Sequence, residues 1–125
     1  MTRSRASAKA AGTRFESAIA TYLATHVDDR IERRARTGAK DCGDIGGVRA
    51  PGTGDRIVLE CKDYGGQIKA GPWLAETEIE RGNDDAAIGL VVAKRRGITD
   101  PGAQFVLMTV RDLVALLTGT RPEED

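Results

Sequence analysis

Apolar positions recur along the chain with two periods, and the switches between them mark out its elements. Phe15, Ile19, Tyr22 and Leu23 fall at i, i+4, i+7 and i+8, one face of a 3.6-residue repeat, which predicts an amphipathic helix from Ala8 to His26 that ends over Val27–Asp29. The next stretches change character. Ile31–Thr37 is an arginine-rich candidate strand, and Asp44–Arg49 is a second, following a turn at Cys42-Gly43. Pro51-Gly52-Thr53-Gly54-Asp55 is a dense turn signal of hairpin character. Arg56–Lys62 then reads as a strand with an apolar centre and polar ends.

Gly65 and Gly66 mark a loop, and Pro72 suits the first turn of a helix running to about Arg81, because the N–H it lacks is not needed there. Ile88–Ala93 is nearly all apolar and predicts a buried strand. A polar loop from Lys94 to Gly102 leads to a strand over Gln104–Val110 and a short helix over Arg111–Thr118. The predicted order is α-β-β-β-α-β-β-α. It implies an α/β fold with a central mixed β-sheet flanked by helices.

Composition adds limits. A chain of 125 residues fits one domain spanning 1–125, with 1–7 and 119–125 expected as flexible tails. The aromatic set is Phe15, Tyr22, Tyr64, Trp73 and Phe105, so the core must be built mainly from Val, Ile, Leu and Ala. Trp73 is expected in that core or in a dimer contact. Cys42 and Cys61 form no CxxC array, and a lone His26 cannot build a histidine metal site. His26 reads instead as a helix C-terminal residue favoured by the dipole. No segment has the apolar length of a membrane span or a signal peptide, so the expected location is the cytoplasm, with no membrane partner. Lysine plus arginine and aspartate plus glutamate number 19 each, so net charge is silent on nucleic acid. Their distribution is uneven: residues 1–40 hold nine basic and four acidic side chains. Such asymmetry hints at a polyanionic partner, although a solvated basic helix and strand would give the same pattern.

The chemistry concentrates on one strand. Side chains alternate faces, so Val58, Glu60 and Lys62 project to one side and Ile57, Leu59 and Cys61 to the other. A carboxylate and an ammonium thus emerge together from an apolar strand, where unpaired charge is costly. If 44–49 and 56–62 pair across the 51–55 turn, Asp44 approaches Glu60. Two carboxylates and the Cys61 backbone carbonyl would make an all-oxygen site suited to Mg²⁺, with Mn²⁺ able to substitute. Such a site can polarise a phosphodiester and activate water, with lysine orienting the water or offsetting developing charge.

Each residue has a plainer reading. Glu60 and Lys62 would form a salt bridge at a wet strand end. Asp44 competes with Asp41, and either could be a turn residue. Thr13-Arg14-Phe15-Glu16 matches a capping box, yet Glu16 also lies about 20° from Leu23 on the helical wheel, at the border of the apolar stripe. Glu76 could assist the metal site, but Glu76, Glu78 and Glu80 together suggest an exposed helix face.

The combination Asp44-Ile45 … Leu59-Glu60-Cys61-Lys62, preceded by a helix containing Phe15-Glu16, resembles the PD-(D/E)xK nuclease superfamily. More narrowly it resembles the small Holliday-junction resolvases of archaea and phages, over roughly Lys9 to Leu117. Gly43 stands where the motif's name has proline. The resemblance implies a restriction-endonuclease-like fold and a metal centre of Glu16, Asp44, Glu60 and Lys62, with metal ligands Asp44, Glu60, the Cys61 carbonyl and Glu16. It implies a Mg²⁺-dependent endodeoxyribonuclease of DNA recombination and repair, acting as a homodimer on branched double-stranded DNA without an organic cofactor. A nuclease of repair or restriction type acting on other DNA, or a catalytically silent nucleic-acid-binding module, are the alternatives. Arg33, Arg34 and Arg36, with Lys69, Lys94, Arg95 and Arg96, are the candidate DNA contacts.

Overall fold

The computed structural model describes residues 4–34 and 43–124. Helix α1 runs over Arg5–His26, starting earlier than its apolar stripe because the Ser4 side chain accepts a hydrogen bond from the Ser7 N–H and caps it. Strands β1 (Glu32–Arg33), β2 (Ile45–Gly46) and β3 (Ile57–Lys62) follow, then helix α2 (Ala70–Asn83). Strand β4 (Ile88–Ala93), a short 3₁₀ turn, strand β5 (Phe105–Leu107) and helix α3 (Val110–Thr118) complete the chain.

The five strands form one mixed sheet in the order β1-β2-β3-β4-β5. β3 and β4 are parallel over six residue pairs, from Ile57 opposite Ile88 to Lys62 opposite Ala93, joined by the α2 crossover. The other neighbours are antiparallel. The fold is therefore α/β with a five-stranded mixed sheet and three helices.

Several strands are shorter than the periodicity predicts. The 44–49 segment pairs with β3 as Ile45 opposite Leu59, while Arg49 bridges Arg56. The two registers differ by one residue, which a bulge near Gly47 (φ 85°) absorbs. Gly47 is fixed by packing as well, since a Cβ there would lie 2.9 Å from the Arg30 carbonyl oxygen. The 104–110 segment keeps only three strand residues before Thr109 caps α3 through the Asp112 N–H.

β3 and β4 are covered on both sides. On one face Ile57, Leu59, Ile88, Leu90 and Val92 pack with Phe15 and Ile19 of α1 in the main core. On the other, Val91 and Ala93 pack with Trp73 of α2, which is buried as expected. Gly89 lets α2 come close, because a Cβ there would stand 2.9 Å from Thr77 Cγ2. Trp73, Thr77 and Glu80, spaced i, i+4 and i+7, form the buried face of that helix.

Both ends of the described chain make ordered contacts. Arg121 is anchored to Asp112, to Glu78 at 3.2 Å and to the Ala87 carbonyl at 3.1 Å. At the other end, helix α1 begins at Arg5. Both result from buried Asp112, whose carboxylate also accepts from the Gly89 and Thr109 groups and needs a cation, and from the Ser4 cap. No helix among the described residues is long and apolar enough to cross a membrane.

Candidate active site

The C-terminal end of β3 is where the sheet, α1 and α2 bring charged side chains together. A cavity of about 500 Å³ opens there, walled by Glu16, Asp44, Glu60, Cys61, Lys62 and Tyr64. Glu16, Asp44, Glu60 and Lys62 thus border one space, whereas Glu76 does not line it.

Asp44 is held by backbone contacts. Its N–H donates to the Leu59 carbonyl at 3.0 Å, its carbonyl accepts from the Arg34 N–H at 2.7 Å, and its Oδ2 accepts from the Cys61 N–H at 2.8 Å. Within a strand the N–H and C=O of one residue point to the same side, so the Cys61 carbonyl faces Asp44 as well. Gly43 precedes it with φ 93°, buried against Val58 and the Leu59 backbone. Proline, confined to φ near −65°, has no place in that conformation. Glycine rather than proline at position 43 follows from this turn. The rival residue Asp41, like Arg36 and Cys42, lies outside the described residues.

Glu60 and Lys62 are buried, at 6% and 9% exposure, and not at a wet strand end. The Lys62 ammonium donates to Glu76 Oε1 at 3.0 Å and lies 3.9 Å from Glu60 Oε1. Burial works against its charge, but the hydrogen bond to Glu76 and the charges of Glu60 and Glu76 outweigh it and lift its pKa above the ordinary lysine value. Burial pushes the Glu60 carboxyl well above the carboxylate range; a hydrogen bond with Glu80 and the charges of Asp44 and Glu80 push the same way, against Lys62. Burial also raises the Cys61 thiol, with Asp44, Glu16 and Glu60 adding to it.

Glu16 sits inside α1, eleven residues past its start, which removes the capping-box reading. Its Oε2 accepts from Arg33 Nε at 2.8 Å. It walls the cavity without converging on Asp44 and Glu60. The carboxylates that do converge are Glu60, Glu76 and Glu80, with oxygens within 4.8 Å of one another. Among the described residues no other group of three acidic, histidine or cysteine side chains is so close. Glu80, expected on an exposed face, is instead 2% exposed against the sheet. The signal that marks it is its place seven residues after Trp73 on the same helical stripe.

The candidate DNA contacts divide. Arg33 is tied to Glu16, and Arg34 lies 3.6 Å from Asp84. Lys94 donates to the Arg95 and Ile98 carbonyls, and Arg95 stacks 4.6 Å over the Phe105 ring while donating to the Ala103 carbonyl. These four order the fold around the site. Arg96 and Lys69 are exposed, and Lys69 lies over Tyr64 at 5.8 Å. Gly66, with φ 94° and room for no Cβ beside Arg96, places the loop after β3 against the basic exit of β4. His26 contacts Tyr22 in the last turn of α1, away from the site.

No protein-family model matches the chain, and no curated protein or solved structure matches it at a significant level.

Proposed function

We propose that the chain is a divalent-metal-dependent endodeoxyribonuclease of restriction-endonuclease-like fold, selective for four-way DNA junctions. The observation that carries this reading is that Glu16, Asp44, Glu60 and Lys62 border one cavity at the end of β3. The donor set fits a hard cation. Glu60 is buried within reach of the Asp44 charge, and the Asp44 carboxylate is locked onto the Cys61 N–H. Asp44, Glu60 and the Cys61 carbonyl would hold Mg²⁺ or Mn²⁺, which would polarise the phosphodiester and acidify a water.

The protein's own groups do the rest. Lys62, kept protonated by Glu76 and Glu60, cannot act as a general base; it is suited to orient water and to offset charge developing on the phosphate. Arg33 holds Glu16 in the cavity wall. Arg96 and Lys69 stand where a phosphate backbone could approach. A homodimer acting on branched double-stranded DNA would match a two-fold substrate with a two-fold enzyme. The exposed stripe of Val110, Leu113 and Leu117 on α3 offers an apolar surface for the contact.

The test is cleavage of labelled four-way junctions and linear duplex, with Mg²⁺ or EDTA, by wild type, Lys62→Ala and Asp44→Asn. Paired Mg²⁺-dependent nicks confined to junctions, lost in both variants, are expected. Equal cutting of duplex would replace junction selectivity with a broader nuclease. Binding without cutting in any divalent metal would overturn the enzyme.

A further inference from the structure

We infer that a second cavity, adjoining the one at the end of β3, receives a single unstacked nucleotide of the bound DNA strand, with its base inside and its phosphate on Arg14. The inference rests on the reading that DNA lies in the neighbouring site. This second cavity holds about 230 Å³, and Asp63, the residue after Lys62, borders both spaces. Helix α1 runs past both as well. Ala8, Gly12 and Glu16 border the larger space, whereas Ala11, Phe15 and Ala18 border the smaller one. Each set repeats at helical spacing, so the two spaces follow neighbouring stripes of one helix. The nucleotide able to enter the second is therefore one next to the phosphodiester held in the first.

The lining divides by chemistry. Ala11, Phe15, Ala18 and Pro101 supply apolar surface with little bulk, suited to the flat face of a base. Arg14 and Lys94 supply positive charge. Arg14 is exposed and has no hydrogen-bond or ion-pair partner among the described residues. Lys94 donates to the carbonyls of Arg95 and Ile98, which hold its ammonium in place without neutralising it. Free phosphate would engage the cations and leave the apolar wall wet; a purely apolar ligand would leave the cations idle. A nucleotide uses both parts. Gln104 also borders the cavity, but both hydrogens of its Nε2 are taken by the Ile98 and Asp100 carbonyls. The base is thus held by its face more than by its edge, which makes the site tolerant of sequence. Unstacking a base costs least where pairing is already broken, so the pocket favours branched or unpaired DNA over intact duplex.

Two variants test this, Arg14→Gln and Ala18→Leu. Both positions are exposed on α1, leucine is a good helix former, and neither residue belongs to the proposed metal centre. Circular dichroism checks folding. The full-length protein in EDTA is titrated with 2-aminopurine deoxynucleoside 5′-monophosphate, read by fluorescence anisotropy. It is also titrated against four-way junctions carrying 2-aminopurine beside the branch point, whose emission rises when the base leaves the stack. Saturable mononucleotide binding is expected, about tenfold weaker in Arg14→Gln through loss of the charge-assisted phosphate contact, and lost in Ala18→Leu. Junction emission should rise with wild type and stay flat with Ala18→Leu. No mononucleotide binding by wild type would overturn the pocket. So would binding unchanged in Ala18→Leu, or inorganic phosphate displacing the probe as effectively as deoxyadenosine monophosphate does. Mononucleotide binding with no emission rise from a bound junction would overturn the strand nucleotide as occupant. Mononucleotide binding and an emission rise, both lost in Ala18→Leu, in a protein that cuts no DNA would keep the pocket and remove the nuclease reading alone.

Discussion

The two faces of β3 are buried to similar depth and by different chemistry. Toward α1, Ile57 and Leu59 meet Phe15, Ile19, Leu90 and Val92 in hydrocarbon throughout. Toward α2, Val58 is followed by Glu60 and Lys62, and the helix answers with Thr77 and Glu80, all buried. A strand gains stability from the first kind of contact; carboxylates pressed together in the second oppose folding unless a proton or a cation intervenes. The difference separates a hydrocarbon face that holds the fold together from a face that gathers buried charged groups.

The largest effect is expected on the α1 side. Leu59→Ala removes a side chain 4% exposed in the main core and should cost about 3 kcal/mol, read from urea denaturation in EDTA. A cost below about 1 kcal/mol would mean that this face is not the stabilising one.

Next comes the opposite face, with the opposite sign. Glu60→Gln removes a buried carboxyl crowded by Glu80 and Asp44, and in EDTA it should be neutral or stabilising by about 1–2 kcal/mol at neutral pH. Burial raises the folded-state pKa of Glu60 above its unfolded value of 4.5. Its contribution to stability is therefore fully present below about pH 4.5 and lost as pH rises toward the folded value. Wild type in EDTA should lose stability over that climb, and Glu60→Gln should flatten the slope. A large destabilisation by Glu60→Gln in EDTA would show that the carboxyl supports the fold, and the contrast between the faces would collapse.

Much of this contrast was legible in the sequence. Strict alternation over 57–62 separates the two sets of side chains, and Ile88–Ala93 has the length and apolarity of a covered parallel strand. The convergence of Asp44 on the end of β3 followed from the turn between them. Glu80 was not legible, because Glu76, Glu78 and Glu80 look like one solvated face until α2 is docked by Trp73 and Gly89. Docking is a long-range event, and a local window holds no record of it. The same applies to the basic residues. Composition counts Arg33, Arg34, Lys94 and Arg95 as available charge, whereas packing gives each a partner on a distant element or a nearby carbonyl. The strands over 44–49 and 104–110 are shorter than their apolar pattern because a bulge and a helix cap interrupt the pairing without disturbing that pattern.

The smallest effect probes the edge between the faces. Cys61 turns its side chain toward the α1 core, yet its backbone N–H holds Asp44 and it sits between Glu60 and Lys62. Burial raises its thiol pKa, and the negative charges of Asp44, Glu16 and Glu60 add to that. Alkylation requires the thiolate, and each unit of pKa removes about tenfold of it. In a Cys42→Ser background, iodoacetamide at pH 8 should modify native Cys61 at least about tenfold more slowly than the urea-unfolded protein, as followed by mass spectrometry. Adding Asp44→Asn removes one of the opposing charges and should raise the native rate by a few-fold, about 0.5–1 kcal/mol, an effect small because burial is the larger cause. Native labelling as fast as in urea would mean that the end of β3 is open on the α1 side too. Solvent access would then not be confined to one face of the strand.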